Sequence, residues 1–167
     1  DENIPKLVSY IGGFNYPTFT VGDYVGIGLD MYLGAENEFY IRLGLPDYQR
    51  KNMYPGRIVS DALYNWLNEK YPFNDSVENL LSYMVHEGKL MYLIDKLTPG
   101  QDLNVTLGFT NEDMQWVKNN EEQMWLYLIE NKKLYSSDIL EIRKLIGPAP
   151  YTAYFNNESP GRAIIWN

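Results

Sequence analysis

The only histidine of the chain, His86, stands directly before Glu87 in a stretch with a helical pattern. This pair begins the motif H-E-x-x-H, in which two histidines one helical turn apart bind zinc and the glutamate activates a water molecule. Leu90 occupies the place of the second histidine, and the chain has no cysteine. Because a catalytic zinc ion normally needs three protein ligands, we expect no metal ion and no cofactor here, and His86 to be a packed or surface side chain.

Two carboxylates on the same stretch are a second candidate for chemistry. In a helix, Glu87 and Asp95 lie about 80° apart around the axis and about 12 Å apart along it. This separation is too large for one shared proton and wide for the carboxylate pair of a glycosidase. Two interpretations remain open. Either His86, Glu87 and Asp95 are catalytic residues, or the two acids accept hydrogen bonds from the backbone or from cations such as Lys89.

These residues belong to the helical pattern Asp75–Lys96, which we call the central helix and which is apolar around most of its circumference. Leu80, Met84 and Met91 follow helical spacing and share one face. Ser76 is the predicted N-cap, because a serine hydroxyl can accept a hydrogen bond from the first turn. A helix with so much apolar surface is expected in the interior of a fold.

Composition excludes several classes of protein. The length of 167 residues indicates one domain. A net charge of −8 disfavours nucleic acid as a partner, because phosphate binding needs clustered lysine and arginine. No apolar run reaches the length of about 20 residues that crosses a bilayer. The absence of cysteine excludes a disulfide scaffold, a thiolate metal site and a cysteine nucleophile.

Apolar periodicity predicts the elements around the central helix. Strands or extended connections are indicated at four places: 6–11, 19–21, 24–33 and 102–109. Further helices are indicated at three places: one that begins at Pro55 or Ile58 and runs through Lys70, the segment that follows a capping box at Thr110, and 138–146. We therefore expect an α+β domain, mainly helical, whose small N-terminal β-sheet packs on the central helix.

Two glycines, Gly26 and Gly28, alternate with apolar residues in the third extended segment. We expect them to face outward, because a glycine in a strand permits close approach of another backbone or a ligand. A dinucleotide-binding loop is not indicated, since a third glycine and a following helix are missing from this place.

Four strings in the chain resemble a known family. They are YIGGFNYP at 10–17, GIGLDMYLG at 26–34, EGKLMY at 87–92 and ESPGR at 158–162. In this order, over nearly the whole chain, they resemble the gliding-motility-associated lipoprotein family called GldB. Lys89, Glu158 and Arg162 lie in these strings, and we name them as binding candidates. The final string has the form of an N-cap followed by proline, so we expect a helix to begin there.

The resemblance implies a location and a role. Family members are bacterial lipoproteins, exported and tethered to an envelope membrane through a lipidated N-terminal cysteine, and associated with gliding and its secretion apparatus. We therefore expect a periplasm-facing, lipid-anchored envelope protein with an accessory role in gliding motility or associated protein secretion. It would act through contacts with other envelope or secretion-apparatus proteins rather than by catalysis. The membrane would be reached only through an anchor that the chain does not include.

The resemblance also implies a relationship to zincin-like metallopeptidases. On that view the whole chain, 1–167, is one GldB-like domain and a pseudoenzyme, with Leu90 at the disabled ligand position. We expect it to lack its native N-terminal lipoprotein segment and the end of its last helix. The alternative hypothesis is a divergent zincin-like hydrolase that acts on peptides or cell-wall material through His86, Glu87 and Asp95. A third hypothesis, carbohydrate binding through the fifteen tyrosines, requires an exposed aromatic platform.

Overall fold

A computed structural model of the chain describes residues 4–73 and 78–146. These residues form two compact units. The first unit contains residues 4–72 and 94–101, and the second contains the remaining described residues. In this described part of the chain, no helix combines the length and the apolar character needed to span a membrane.

The first unit opens with a three-stranded sheet. Its strands are β1 (Lys6–Tyr10), β2 (Thr18–Val21) and β3 (Tyr24–Gly28). The spatial order is β1-β3-β2, with β3 parallel to β1 and antiparallel to β2. Among the described strands, β3 therefore lies at the centre of the sheet, and β1 and β2 form its two edges.

Short helices lead from the sheet to the main helix of this unit. A 3-10 turn (Leu29–Met31) follows β3, and the helices α1 (Glu38–Arg42) and α2 (Asp47–Arg50) come next. A second 3-10 turn (Pro55–Arg57) leads into α3 (Ile58–Lys70). α3 packs against β2 and β3.

Four helices account for most of the rest of the described chain. They are α4 (Leu80–Leu97), α5 (Leu103–Leu107), α6 (Asn111–Glu130) and α7 (Ile139–Ile146). The N-terminal part of α4 lies in the second unit, together with α5, α6 and α7. One core cluster joins α4, α6 and α7: Leu80, Met84, Leu128, Ile142 and Leu145. A second cluster joins α6 to the α5 region: Leu107, Phe109, Val117 and Met124. α6 therefore supplies side chains to both clusters.

The predicted fold class, mainly helical α+β with a small N-terminal sheet, is confirmed. The helix that packs against the sheet is α3, whereas the sequence analysis assigned this position to the central helix. The face of the central helix is also confirmed, since Leu80 and Met84 are buried and Met91 packs against the second core cluster.

The start of the central helix differs from the prediction. α4 begins at Leu80, and the side-chain oxygen of Asn79 accepts a hydrogen bond of 2.9 Å from the backbone N–H of Ser82. Asn79 therefore performs the capping role that the sequence analysis gave to Ser76. Ser76 itself lies outside the described residues, as does the helix predicted at 158–162.

The prediction of an extended segment at 102–109 is wrong, because α5 is helical. Leu103 and Leu107 are four residues apart and lie on one helical face, where both contribute to a core cluster. Gly108 ends the helix with φ of 75°, a left-handed conformation that glycine adopts at little cost. The same apolar residues fit either an alternating or a helical pattern, so the spacing alone could not separate the two.

The extended segment predicted at 24–33 ends at Gly28, where the chain turns into a 3-10 helix. Gly26 and Gly28 are buried rather than outward-facing. A Cβ atom on Gly26 would lie 2.1 Å from the ring of Phe19, and one on Gly28 would lie 2.5 Å from the carbonyl oxygen of Tyr16. The predicted close approach of another backbone is therefore found, but inside the protein.

Candidate functional site

The aromatic ring of Phe73 covers the side of α4 that carries His86. The two rings meet edge to face, with centroids 5.5 Å apart and an interplanar angle of 79°. The ring of Phe73 also stacks on the ring of Tyr83, with centroids 4.2 Å apart. Tyr83 and His86 are three residues apart and therefore neighbours on one helical face. His86 is half-buried and contacts this aromatic group.

The position one helical turn after His86 faces the interior. Leu90, which stands where H-E-x-x-H has its second histidine, is only 1% exposed. Side chains four residues apart lie on the same face of a helix. A zinc ion held from positions 86 and 90 would therefore have to displace packed apolar side chains.

The other side chains of the predicted catalytic set do not form a metal cluster. Among residues 4–73 and 78–146, no group of three or more histidine, aspartate or glutamate side chains is arranged to hold a metal ion. Glu87 is half-buried in the second unit, whereas Asp95 belongs to the first. Asp95 accepts a hydrogen bond of 2.9 Å from the ammonium group of Lys96 in a solvent-exposed ion pair.

The predicted binding residues are not brought together by the described structure. Lys89 is exposed on α4. Glu158 and Arg162 lie outside the described residues. The grouping of these three residues as a binding site stays a prediction.

The start of α4 is closed by contacts within the second unit. The backbone N–H groups of Leu80 and Leu81 donate to the carbonyl oxygens of Ser136 and Leu134, at 3.1 and 2.8 Å. The next N–H group is bonded to the side chain of Asn79. The first-turn donors, which could otherwise bind an anion, are therefore satisfied by the protein itself.

A polar cluster that was not predicted from the sequence joins two of the four family strings. Asp30, only 5% exposed, lies in the second string and reaches the loop formed by the first. Its carboxylate accepts hydrogen bonds from the backbone N–H of Gly12 at 3.0 Å and of Phe14 at 2.8 Å. The detectable signal was a single aspartate within an otherwise apolar, glycine-containing run.

The charge of Asp30 is held by the backbone. Burial alone would raise the pKa of its carboxyl group, but hydrogen bonds from the backbone N–H groups of Phe14 and Gly12 outweigh burial and lower this pKa below its ordinary value. Asp30 therefore stays ionised at neutral pH and is poorly suited to exchange protons there. Its geometry is that of a structural anchor for the loop.

Tyr40 forms hydrogen bonds to the backbone at two places in the segment that follows β3. Its side chain is fully buried, and its hydroxyl group donates to the carbonyl oxygen of Asp30 at 2.7 Å. The hydroxyl oxygen also accepts a hydrogen bond of 3.0 Å from the backbone N–H of Leu33. Burial raises the pKa of this hydroxyl, so it remains a hydrogen-bond donor rather than a base.

A second polar cluster in the first unit is centred on Asp61. Arg57 donates to one carboxylate oxygen at 2.7 Å, and the hydroxyl of Tyr32 donates to the other at 3.1 Å. Burial, followed by the nearby charge of Asp61, raises the pKa of Tyr32. Tyr32 follows the first 3-10 turn, whereas Arg57 ends the second 3-10 turn and Asp61 lies in α3. The cluster therefore fastens the segment after β3 to the start of α3.

The second unit contains a comparable cluster between α6 and α7. Glu141 accepts hydrogen bonds from the ammonium group of Lys133 and from the hydroxyl of Ser136. The hydrogen bonds from Lys133 and Ser136 lower the pKa of Glu141. Each of these three carboxylates thus has structural partners, which is the usual condition for a buried or half-buried charge.

Comparison with known families gives one result for the whole chain. A family model described as gliding motility protein GldB matches residues 1–167. Comparisons with curated proteins and with solved structures found no significant match. The resemblance carried by the four strings is confirmed, whereas the zincin-like relationship stays a prediction.

Proposed function

Because the chain belongs to the gliding motility GldB family, we propose that it is an accessory protein of gliding motility or of the associated protein secretion, acting by contact rather than catalysis. Membership of this family implies a lipoprotein of the gliding system and hence association with the cell envelope. The proposal adds that the domain faces the periplasm on a lipid anchor. Its partners are other proteins of the envelope or of the secretion apparatus.

The observation that carries this proposal is the burial of Leu90. A metallopeptidase helix must present two ligands and a general base to an open site. Here the face that includes position 90 packs into the interior, and His86 contacts Phe73. α4 therefore serves as a packing element, and Glu87 lacks the neighbouring ligand position that would make it a base for a metal-bound water.

The polar clusters also support a role without catalysis. Asp30, Asp61 and Glu141 each accept hydrogen bonds that fasten one segment to another. A general base near neutral pH needs a pKa shifted toward 7. The pKa values of Asp30 and Glu141 are instead lowered. Both carboxylates are therefore suited to a structural role rather than to proton transfer.

A single substitution distinguishes this proposal from the alternative, a divergent zincin-like hydrolase. Glu87→Gln keeps the size of the side chain and removes its ability to act as a base. Loss of a general base costs about 10²- to 10⁴-fold in rate, so a hydrolase would lose its function. A contact protein would keep it.

The experiment replaces the chromosomal gene, in the bacterium that encodes the protein, with the Glu87→Gln variant. Glu122→Gln, the same change at an exposed position of α6, is the matched control. We expect both strains to glide at the wild-type rate with wild-type amounts of the protein in the envelope. A strain that carries normal amounts of the Glu87→Gln protein but does not glide would overturn the proposal in favour of the hydrolase.

A further inference from the structure

The outer edge of β1 directs backbone groups away from the sheet. In a parallel pair, alternate residues of a strand bond to its neighbour, and the residues between them point their N–H and C=O groups to the other side. The backbone N–H of Lys6 donates to the carbonyl oxygen of Asp23 at 2.7 Å, which fixes this alternation. Lys6 and Val8 therefore face β3, whereas Leu7 and Ser9 face outward.

Apolar side chains of this edge are exposed on both faces of the sheet. Leu7 is 69% exposed and Val8 is 42% exposed, although successive residues of a strand point to opposite faces. Ile4 and Ile11, on either side of the strand, are exposed as well. An exposed edge strand with apolar side chains on both faces is a template with which another strand can pair.

The usual protection of an edge strand is confined to one end of β1. Edges are commonly blocked by proline, by lysine or by a bulge. Within Ile4–Ile11 the proline and the lysine are adjacent, at Pro5 and Lys6, and β1 pairs with β3 in unbroken register. The stretch from Leu7 to Ser9 carries none of these devices.

We propose that the β1 edge binds an extended segment of another polypeptide, which adds to the sheet as a fourth strand. This inference rests on the proposed function in that both assign the protein a contact role, but it uses different residues. Backbone hydrogen bonds from Leu7 and Ser9 would hold the segment, as in other cases of strand addition. Alternating apolar side chains on the segment would meet Leu7 on one face and Val8 on the other.

The size of the edge favours a peptide over a second copy of the chain. Five residues span about 17 Å, which matches a short extended peptide. A stable dimer of folded proteins buries at least about 1,200 Å² in total, far more than one short edge provides. The charge of the edge indicates the composition of the bound segment, because Lys6 is the only charged residue in Ile4–Ile11. The bound segment should therefore carry an acidic residue beside its apolar ones.

The probe for this proposal is the capped peptide acetyl-Glu-Val-Thr-Val-Thr-Val-Glu-amide. Its terminal acids can meet Lys6 in either strand direction. The matched control is the same peptide with a methyl group on the backbone nitrogen of every residue, which removes its backbone N–H donors and leaves its side chains. Amide hydrogen exchange of the full chain is followed residue by residue by nuclear magnetic resonance.

We expect the unmodified peptide to slow exchange of the Leu7 and Ser9 amides at least about tenfold, and the methylated peptide to have no effect. The amides of Lys6 and Val8, which already face β3, should change little. Unchanged exchange at Leu7 and Ser9 with millimolar peptide would overturn the proposal, as would equal protection by the methylated peptide. Protection that grows with protein concentration alone would identify a second copy as the occupant and would also overturn it.

A variant of the protein provides an independent check. Ser9→Pro removes an outward N–H and leaves the bonds that face β3, so peptide protection of Leu7 should be lost. Ser9→Ala keeps this N–H and should bind as wild type does. Unchanged chemical shifts of β3 in both variants show that the sheet is intact. Because the wild-type test compares two peptides, it decides the proposal even where Ser9→Pro does not fold.

Discussion

The carboxylate of Asp30 accepts a hydrogen bond of 2.8 Å from the backbone N–H of Phe14, a residue whose φ of 63° lies in the left-handed region. This conformation costs a residue with a side chain about 1 to 2 kcal/mol. Two contacts offset the cost. One is the charged hydrogen bond to Asp30, and the other is the edge-to-face packing of the Phe14 ring on Tyr40, with centroids 5.7 Å apart. The loop at 10–17 is thus held in one shape from both sides.

Asp30→Asn should lower the free energy of unfolding by about 1.5 to 3 kcal/mol, because hydrogen bonds to a charged acceptor are replaced by weaker ones. Urea denaturation at pH 7 measures the change. Asp23→Asn, the same substitution at an exposed position in the turn between β2 and β3, should stay within about 0.5 kcal/mol of wild type. Equal effects of the two substitutions would show that the buried carboxylate does not anchor the loop.

The contribution of Asp30 should depend on pH. Its pKa is lowered in the folded protein, so its stabilising effect is complete above the unfolded pKa and is lost as the pH falls through the folded pKa. The stability difference between wild type and Asp30→Asn should therefore be largest at neutral pH and shrink in acid. Denaturation curves of both proteins from pH 7 down to about pH 2 test this. A difference that grows in acid would contradict the assigned direction.

The two glycines of β3 should tolerate alanine unequally. An added Cβ at Gly28 would meet a backbone oxygen, that of Tyr16, which cannot move without distorting the loop. An added Cβ at Gly26 would meet the ring of Phe19, a partly exposed side chain on an edge strand that can swing aside.

Gly28→Ala should therefore cost about 2 to 3 kcal/mol and Gly26→Ala about 1 kcal/mol. Thermal unfolding of the two variants side by side gives the comparison, and Phe19→Leu should lessen the cost at Gly26 without helping Gly28. If Gly26→Ala were the more damaging change, the ring of Phe19 would be the more rigid of the two neighbours.

Apolar spacing and capping residues were sufficient to predict a helix where the local preference of the chain agreed with its surroundings in the fold. The helix that ends at Lys70 begins at Ile58, one of its two predicted starts, and the capping box of Thr110 with Asp113 forms as predicted, since spacing and capping chemistry act within a few residues. The class of the fold followed from the same short-range signals. Pattern was insufficient at 102–109, where the alternation of three apolar residues indicates a strand, whereas two of them, Leu103 and Leu107, also fit one helical face.

The polar clusters could not be predicted because they depend on residues distant in the chain. Asp30 meets Gly12 across 18 positions, and Tyr32 meets Asp61 across 29. Neither spacing has a sequence signature. The candidates on α4 were visible for the opposite reason, since a motif within one helix is local. What the sequence could not give was the direction in which Leu90 points.

Leu90→His completes the motif H-E-x-x-H with His86 and Glu87, and it tests that direction. We expect a loss of at least about 3 kcal/mol in unfolding free energy, because a large apolar side chain is replaced by a polar one in a packed interior. Leu97→His, at a position 52% exposed at the end of the same helix, should change stability by no more than about 0.5 kcal/mol. A Leu90→His protein as stable as wild type, and stabilised further by zinc, would mean that this face opens onto a metal site.

The claim on which the account depends is that α4 packs the fold and does not hold a catalytic metal. Zinc content per chain, measured by mass spectrometry on the purified protein after dialysis against buffered zinc, tests this most directly. We predict that wild type and His86→Ala retain the same small amount, well below one zinc per chain. One zinc per wild-type chain, lost in His86→Ala, would contradict the account.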